Sequence, residues 1–259
     1  MDVTFAGDDP DLLQHAHAIH QGYKSNATAQ VTVRLLRDPS IDSGPRHPIA
    51  TRQGSIHHLA YWGWRALYDE KTGLCEARFG TTTVQALEEN RVRTLTRMLL
   101  GQYILSQGGL GFHASSMVKN SRGYLFVGPR GAGKTTSVLQ WPGDQILGDE
   151  HAIIRPTALG FDLHSTPYSG REGTLADGGT APLAGLFVLA KDTWTWSETL
   201  SPAHAFRELI PHVIHVSRAQ EDNQKVCDVL DVLVNQYPVH RLYVSLQHPV
   251  WPTVERVAA

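Results

Sequence analysis

"YLFVGPRGAGKTT", Tyr124 to Thr136, is an apolar run that enters a glycine-rich turn and leaves it on Lys134, Thr135 and Thr136. Gly128-Pro129-Arg130-Gly131-Ala132-Gly133-Lys134-Thr135 matches G-x-x-x-x-G-K-[ST] at every fixed position, the pattern of a phosphate-binding loop. A loop whose main-chain N–H groups must all turn inward on a phosphate needs residues free of Cβ clashes, which accounts for the glycines. The helix after such a loop adds unpaired donors and partial positive charge. On this reading Lys134 reaches the β- and γ-phosphates of ATP, and the Thr135 hydroxyl ligates Mg²⁺. The expected nucleotide-binding residues run from Gly128 to Thr136, Pro129, Arg130, Gly131, Ala132 and Gly133 included, with the Arg130 side chain facing solvent or a phosphate.

The flanks have the order this motif requires. "HASSMV" and "GYLFV" predict two strands joined by the turn "KNSRG", and "KTTSVLQW" predicts a short helix stopped at Pro142-Gly143. "QILG" predicts a strand that ends in Asp149-Glu150. Only one short helix and one strand separate Lys134 from Asp149, so the two acids should emerge at the sheet edge that carries the loop. Phosphoryl transfer needs such a metal-side carboxylate and a group to accept the acceptor's proton. If 113–118 pairs with 123–127 as a hairpin, His113 falls across from the strand end that feeds the loop.

Taken together, "FHASSMVKNSRGYLFVGPRGAGKTT" followed by "ILGDEH" resembles the catalytic domain of HPr kinase/phosphorylase and its shorter relatives. The resemblance is specific over about 106–155 and looser in "TPYSG", "PLAGLFVL", "SPAHAFRELIPH" and "PVHRLYV". It implies a compact α/β P-loop kinase domain, akin to the phosphoenolpyruvate carboxykinases, that transfers the γ-phosphoryl group of ATP to a serine hydroxyl. By the same resemblance Asp149 takes the proton of the attacking hydroxyl, His113 tunes Asp149, and Glu150 joins Thr135 at the metal. Asp149, His113 and Lys134 are then the catalytic set. This chain departs from the enzyme in ending its loop on Thr135-Thr136 rather than Ser-Glu, in carrying Glu150 as second acid, and in lacking an evident segment for the reverse reaction. Among the shorter relatives are kinases of lasso-peptide-type clusters, which phosphorylate a precursor peptide. The resemblance therefore points to a serine of a peptide or small protein as acceptor, and to homo-oligomers as a common state.

Two other readings fit the same residues. A kinase of a small hydroxylated metabolite would need a closed acceptor pocket rather than an extended groove. A nucleotide-binding regulatory or assembly ATPase would form ADP with no phosphorylated acceptor, and the presence of Asp149 argues against it.

Further along, "HSTPYSGREG" (His164–Gly173) is a polar, glycine-rich stretch where Arg171 could neutralise transferring charge and Glu172 could add a metal contact. "AGLFVLA" (Ala184–Ala190) suits a strand buried on both faces. "SPAHAFRELI" predicts a helix capped by Ser201 with Pro202 in its first turn. A longer helix is expected around 221–236, and "RLYVSLQ" closes as a strand. Strands alternating with helices predict an α/β sheet for residues 85–259. The first 84 residues predict a β-containing region packed on it, with "AQVTVRLL" as strand and 37–50 as loop, before a helix over about 85–106 that stacks Val92, Leu95, Leu99 and Tyr103.

The 259 residues, with 41% hydrophobic and 19% charged side chains, allow a sizeable core. A net charge of −2 and the absence of a basic run exclude a general nucleic-acid or anionic-membrane binder. Acidic residues open the chain where a secretory signal would be basic, no stretch is apolar enough to span a membrane, and Cys75 and Cys227 form no CxxC pair. A cytoplasmic protein with two free thiols is expected. The histidines of "HAHAIH" and His57-His58 lack the partners a zinc site needs. "YWGWR" and "WTW" are expected as core or edge aromatics rather than a base-stacking platform.

Overall fold

The computed structural model describes residues 1–23, 26–82, 84–140, 143–168, 178–245 and 247–258. Two compact units emerge, Met1–Ser106 with His215–Lys225, and Gln107–Ile214 with Val226–Ala259. The division falls one helix later than residue 85, and a short later segment returns to the first unit.

In the first unit the elements are β1 (Val3–Gly7), α1 (Pro10–Ile19), β2 (Val31–Arg37), β3 (Ile49–Gln53), β4 (Ile56–Tyr61), β5 (Trp64–Asp69), β6 (Leu74–Phe79) and α2 (Gln85–Ser106). Six strands form a sheet in the order β1-β2-β6-β5-β4-β3, with β1, β2 and β6 parallel and the rest antiparallel. Alternate residues of β2, β5 and β6 face inward, Val31, Val33 and Leu35, then Trp64, Ala66 and Tyr68, then Cys75, Ala77 and Phe79. The helix α2 turns Val92, Leu95 and Leu99 into the core and packs on α1 and β4, which is why it belongs with this unit. Asp9 caps α1 by accepting from the Leu12 amide at 2.9 Å and also pairs with Arg37, whose guanidinium reaches Glu88 of α2 as well. The helix α1 contains His15 and His17, residues the sequence reading weighed only as metal ligands.

Residues 216–218 run along β3, with the Ala50 amide donating to the Val216 carbonyl and Arg218 N–H to the Ala50 carbonyl. They cover a strand that otherwise ends the sheet. Asp222, 1% exposed, anchors this segment by accepting from Ser217 Oγ at 2.5 Å and from Arg52 at 3.0 Å. Burial alone would raise its carboxyl pKa, but these donors and the charges of His57 and Arg52 hold it below the usual range.

In the second unit follow β7 (Leu110–Phe112), β8 (Ser115–Lys119), β9 (Arg122–Val127), α3 (Lys134–Gln140), β10 (Gln145–Gly148), β11 (Ala152–Thr157), β12 (Gly160–His164), β13 (Thr180–Lys191), β14 (Trp196–Thr199), α4 (Pro202–Leu209), a 3₁₀ turn (Ile210–His212), α5 (Gln220–Gln236), β15 (Val239–Val244) and α6 (Trp251–Val257). The first residues of α5, up to Lys225, group with the other unit. The sheet runs β10-β8-β9-β13-β12-β11-β7, and β13 also takes β15 and through it β14. The pairings of β13 with β9 and with β15 are parallel, while β8, β10, β11, β12, β7 and β14 join antiparallel, so the sheet is mixed.

The hairpin predicted before the glycine-rich turn is present as β8 and β9. Its two turn residues, Asn120 and Ser121, both take positive φ, the twist a tight hairpin needs. Every residue of β9 from Tyr124 to Val127 is buried, as for a strand covered on both faces. Phe126 stacks on Phe187 of β13 at 5.3 Å, and Tyr124 meets Trp251 of α6 edge-on. These rings, with Val138 of α3, make a core that holds the glycine-rich turn on a rigid base. Ser201 caps α4 and Pro202 starts it, as expected. Cys75 and Cys227 are free, burial pushing the Cys75 thiol up to about 12. Among the described residues no helix is long and apolar enough to cross a membrane.

Candidate active site

The second unit carries the phosphate-loop motif at the end of β9, entering α3 at Lys134. Gly131 has φ of +79° and Gly133 of +100°, backbone that L side chains rarely adopt, and a Cβ on either would meet open space. The glycines are therefore required by the path of the chain, not by crowding, and room remains beside them. Gly128 differs, since a Cβ there would come 3.1 Å from the Leu189 carbonyl of β13. Ala132 is buried and its amide closes a turn onto Pro129, while Pro129, Arg130 and Thr136 are exposed and Thr135 is half-buried.

Lys134 is 8% exposed, and its ammonium donates to the Gly128 carbonyl at 2.7 Å and the Pro129 carbonyl at 3.3 Å. Burial holds it below the ordinary lysine range, and the charge of Glu150 partly restores it. The lysine thus lies across the loop, close enough to the acidic turn to feel it.

That turn is positioned by strand pairing. Gly148 of β10 pairs with Ser116 of β8, and Ala152 of β11 pairs with Phe112 of β7. The connection Asp149 to His151 therefore runs beside the connection His113-Ala114. In turn Ser115 pairs with Phe126, so extending that register sets His113 level with Gly128. The loop, His113 and the acids share one edge. His113 Nδ1 lies 3.4 Å from Glu150 Oε1, both side chains being partly exposed. His113 thus has Glu150 within reach, while the resemblance implies Asp149 as its partner. Asp149 is 3% exposed.

His151 continues the turn inward at 1% exposure. Its carbonyl accepts from Thr166 Oγ1 at 2.9 Å, and its ring lies against Tyr168. This fastens one end of the polar stretch after β12 to the acidic turn. At the other end Gln145 donates to the Gly178 carbonyl and Ser165 N–H to the Gly179 carbonyl. Arg171 and Glu172 lie outside the described residues.

His212 is a site residue that the sequence reading missed. Its carbonyl accepts from the His113 amide at 2.8 Å. Burial, then the charges of Lys134 and His113, lower its pKa and favour a neutral ring at this edge. The available signal was Pro211, which stops α4 and turns the chain back on β7.

No family model and no curated protein matches the chain.

Among the described residues no group of three or more His, Cys, Asp or Glu could form a metal cage. Mg²⁺ does not require one, because it keeps waters and binds through one or two carboxylates plus substrate phosphates. The donor set here, the Thr135 hydroxyl and a half-exposed Glu150, suits that mode.

Proposed function

We propose that this chain is an ATP-dependent phosphotransferase of the HPr kinase-related type, acting in the cytoplasm on a serine hydroxyl of a peptide or small protein. The observation that carries the reading is the shared edge, where the Gly128–Thr136 loop, buried Lys134 and the Asp149-Glu150 turn with His113 come together. The loop and Lys134 hold the phosphate tail and offset charge on the γ-phosphoryl oxygens. Mg²⁺, held by Thr135 and Glu150, would neutralise charge on the β- and γ-oxygens. Asp149 accepts the proton of the serine hydroxyl as its oxygen bonds to the γ-phosphorus. The bond from that phosphorus to the β,γ-bridging oxygen breaks, and ADP leaves with the pair. His113, 3.4 Å from Glu150, helps to hold that acid in place.

Incubation of the full chain with labelled MgATP and serine peptides, followed by mass spectrometry, tests this reading. Addition of one phosphoryl group to a serine is expected. ADP release without any phosphorylated acceptor would convert the reading to an ATPase, and no nucleotide turnover or binding would remove it.

A further inference from the structure

We propose that Trp194, backed by His248, is the platform on which the purine base of the bound nucleotide stacks. This rests on the nucleotide reading above and adds where the base goes. The strands β9, β13 and β15 lie side by side and parallel, with Val127 level with Val188 and Lys191 level with Val244. The phosphate loop leaves the carboxyl end of β9, Trp194 stands in the turn after β13, and His248 stands in the turn after β15. All three emerge from the edge at which open α/β sheets take ligands.

The acids follow β10 and His113 precedes β8, while Trp194 and His248 follow β13 and β15, the strand paired with β9 and its neighbour. A nucleotide with its γ-phosphate turned to Asp149 and Glu150 and its base on Trp194 would run across the loop from one group to the other.

The geometry is that of a prepared stacking surface. The Trp194 and His248 rings are parallel within 10° at 4.3 Å, yet Trp194 remains 66% exposed. One face is thus supported by the histidine and the other is left for a flat ligand. Thr195 ties the two turns together, its hydroxyl donating to the His248 carbonyl at 3.4 Å and accepting from the Ser245 amide at 3.2 Å. A tryptophan so exposed and so fixed gains little for folding, whereas base–aromatic stacking is a substantial and base-tolerant contribution to binding. The expectation that "WTW" is core or edge aromatic thus holds for Trp196, which stacks on Tyr243 at 4.0 Å, better than for Trp194.

Calorimetric titration of the full chain with a non-hydrolysable MgATP analogue and with magnesium tripolyphosphate separates base from phosphate. Trp194→Ala should weaken the analogue about tenfold and leave tripolyphosphate unchanged, with Trp194→Phe recovering most of the loss. Lys134→Ala should weaken both ligands. Unchanged analogue affinity in Trp194→Ala, with Lys134→Ala impaired, overturns the platform and leaves the nucleotide reading intact. Equal loss of both ligands in Trp194→Ala marks a structural residue and also overturns it, as does a defect confined to the peptide's KM. Binding of neither ligand by the wild-type chain removes both readings.

Discussion

His113 Nδ1 stands 3.4 Å from Glu150 Oε1 across two chain connections that run side by side between β7 and β8 and between β10 and β11. The pair lies at the edge of the glycine-rich loop, half-exposed, and the charge of Glu150 is felt at Lys134. Glu150 thus stands beside a histidine and acts electrostatically on Lys134, which suits the proposed role of positioning a cation. His113→Ala and Glu150→Gln should each lower transfer, and the double variant should fall short of the product of the two effects. A double-mutant cycle on kcat/KM checks this, and strict additivity would separate the two residues.

Asp149 is the buried acid of the turn. Asp149→Asn should leave nucleotide affinity within about twofold and reduce transfer by roughly 10²–10⁴-fold, the usual range for a lost general base. Single-turnover assays beside calorimetry give both numbers. Transfer retained at the wild-type rate would take Asp149 out of the mechanism.

Gly133 has φ of +100° with open space beside it. Gly133→Ala should therefore cost backbone strain alone, about 1–2 kcal/mol of fold stability, while nucleotide affinity falls more steeply because the loop path shifts. Urea unfolding and nucleotide titration of the same variant distinguish the two effects.

Away from the site, Asp222 is 1% exposed and bonded by Ser217 and Arg52. Its folded pKa lies below the ordinary value, so its stabilising contribution is full above about pH 4 and is lost as pH falls through the folded pKa. Asp222→Asn should flatten the acid limb of stability against pH. Asp222→Ala removes the buried acceptor of Ser217 and one of the carboxylates around Arg52, which keeps Glu70 at 3.3 Å, and should cost about 1–3 kcal/mol at neutral pH. Urea midpoints from pH 3 to 7 provide the test.

The strands around the loop were readable because their cues are local. Apolar runs, the "KNSRG" turn, the glycines and the proline stops act over a few residues, and β8, β9, α3 and β10 follow them. The strands β1, β3 to β7 and β14 and the helices α1 and α6 are not legible in the sequence, since short strands and brief helices gain their stability from neighbours distant in the chain.

The glycine pattern and the place of Lys134 are set by sequence alone, because the positive φ that glycine permits and the spacing of a cation from a turn are properties of the chain. The pairing of His113 with Glu150, the arrival of His212 and the exposure of Trp194 against His248 were decided by the tertiary structure. Strand order and register bring those residues together from different elements, and register is set by which faces the folded sheet buries.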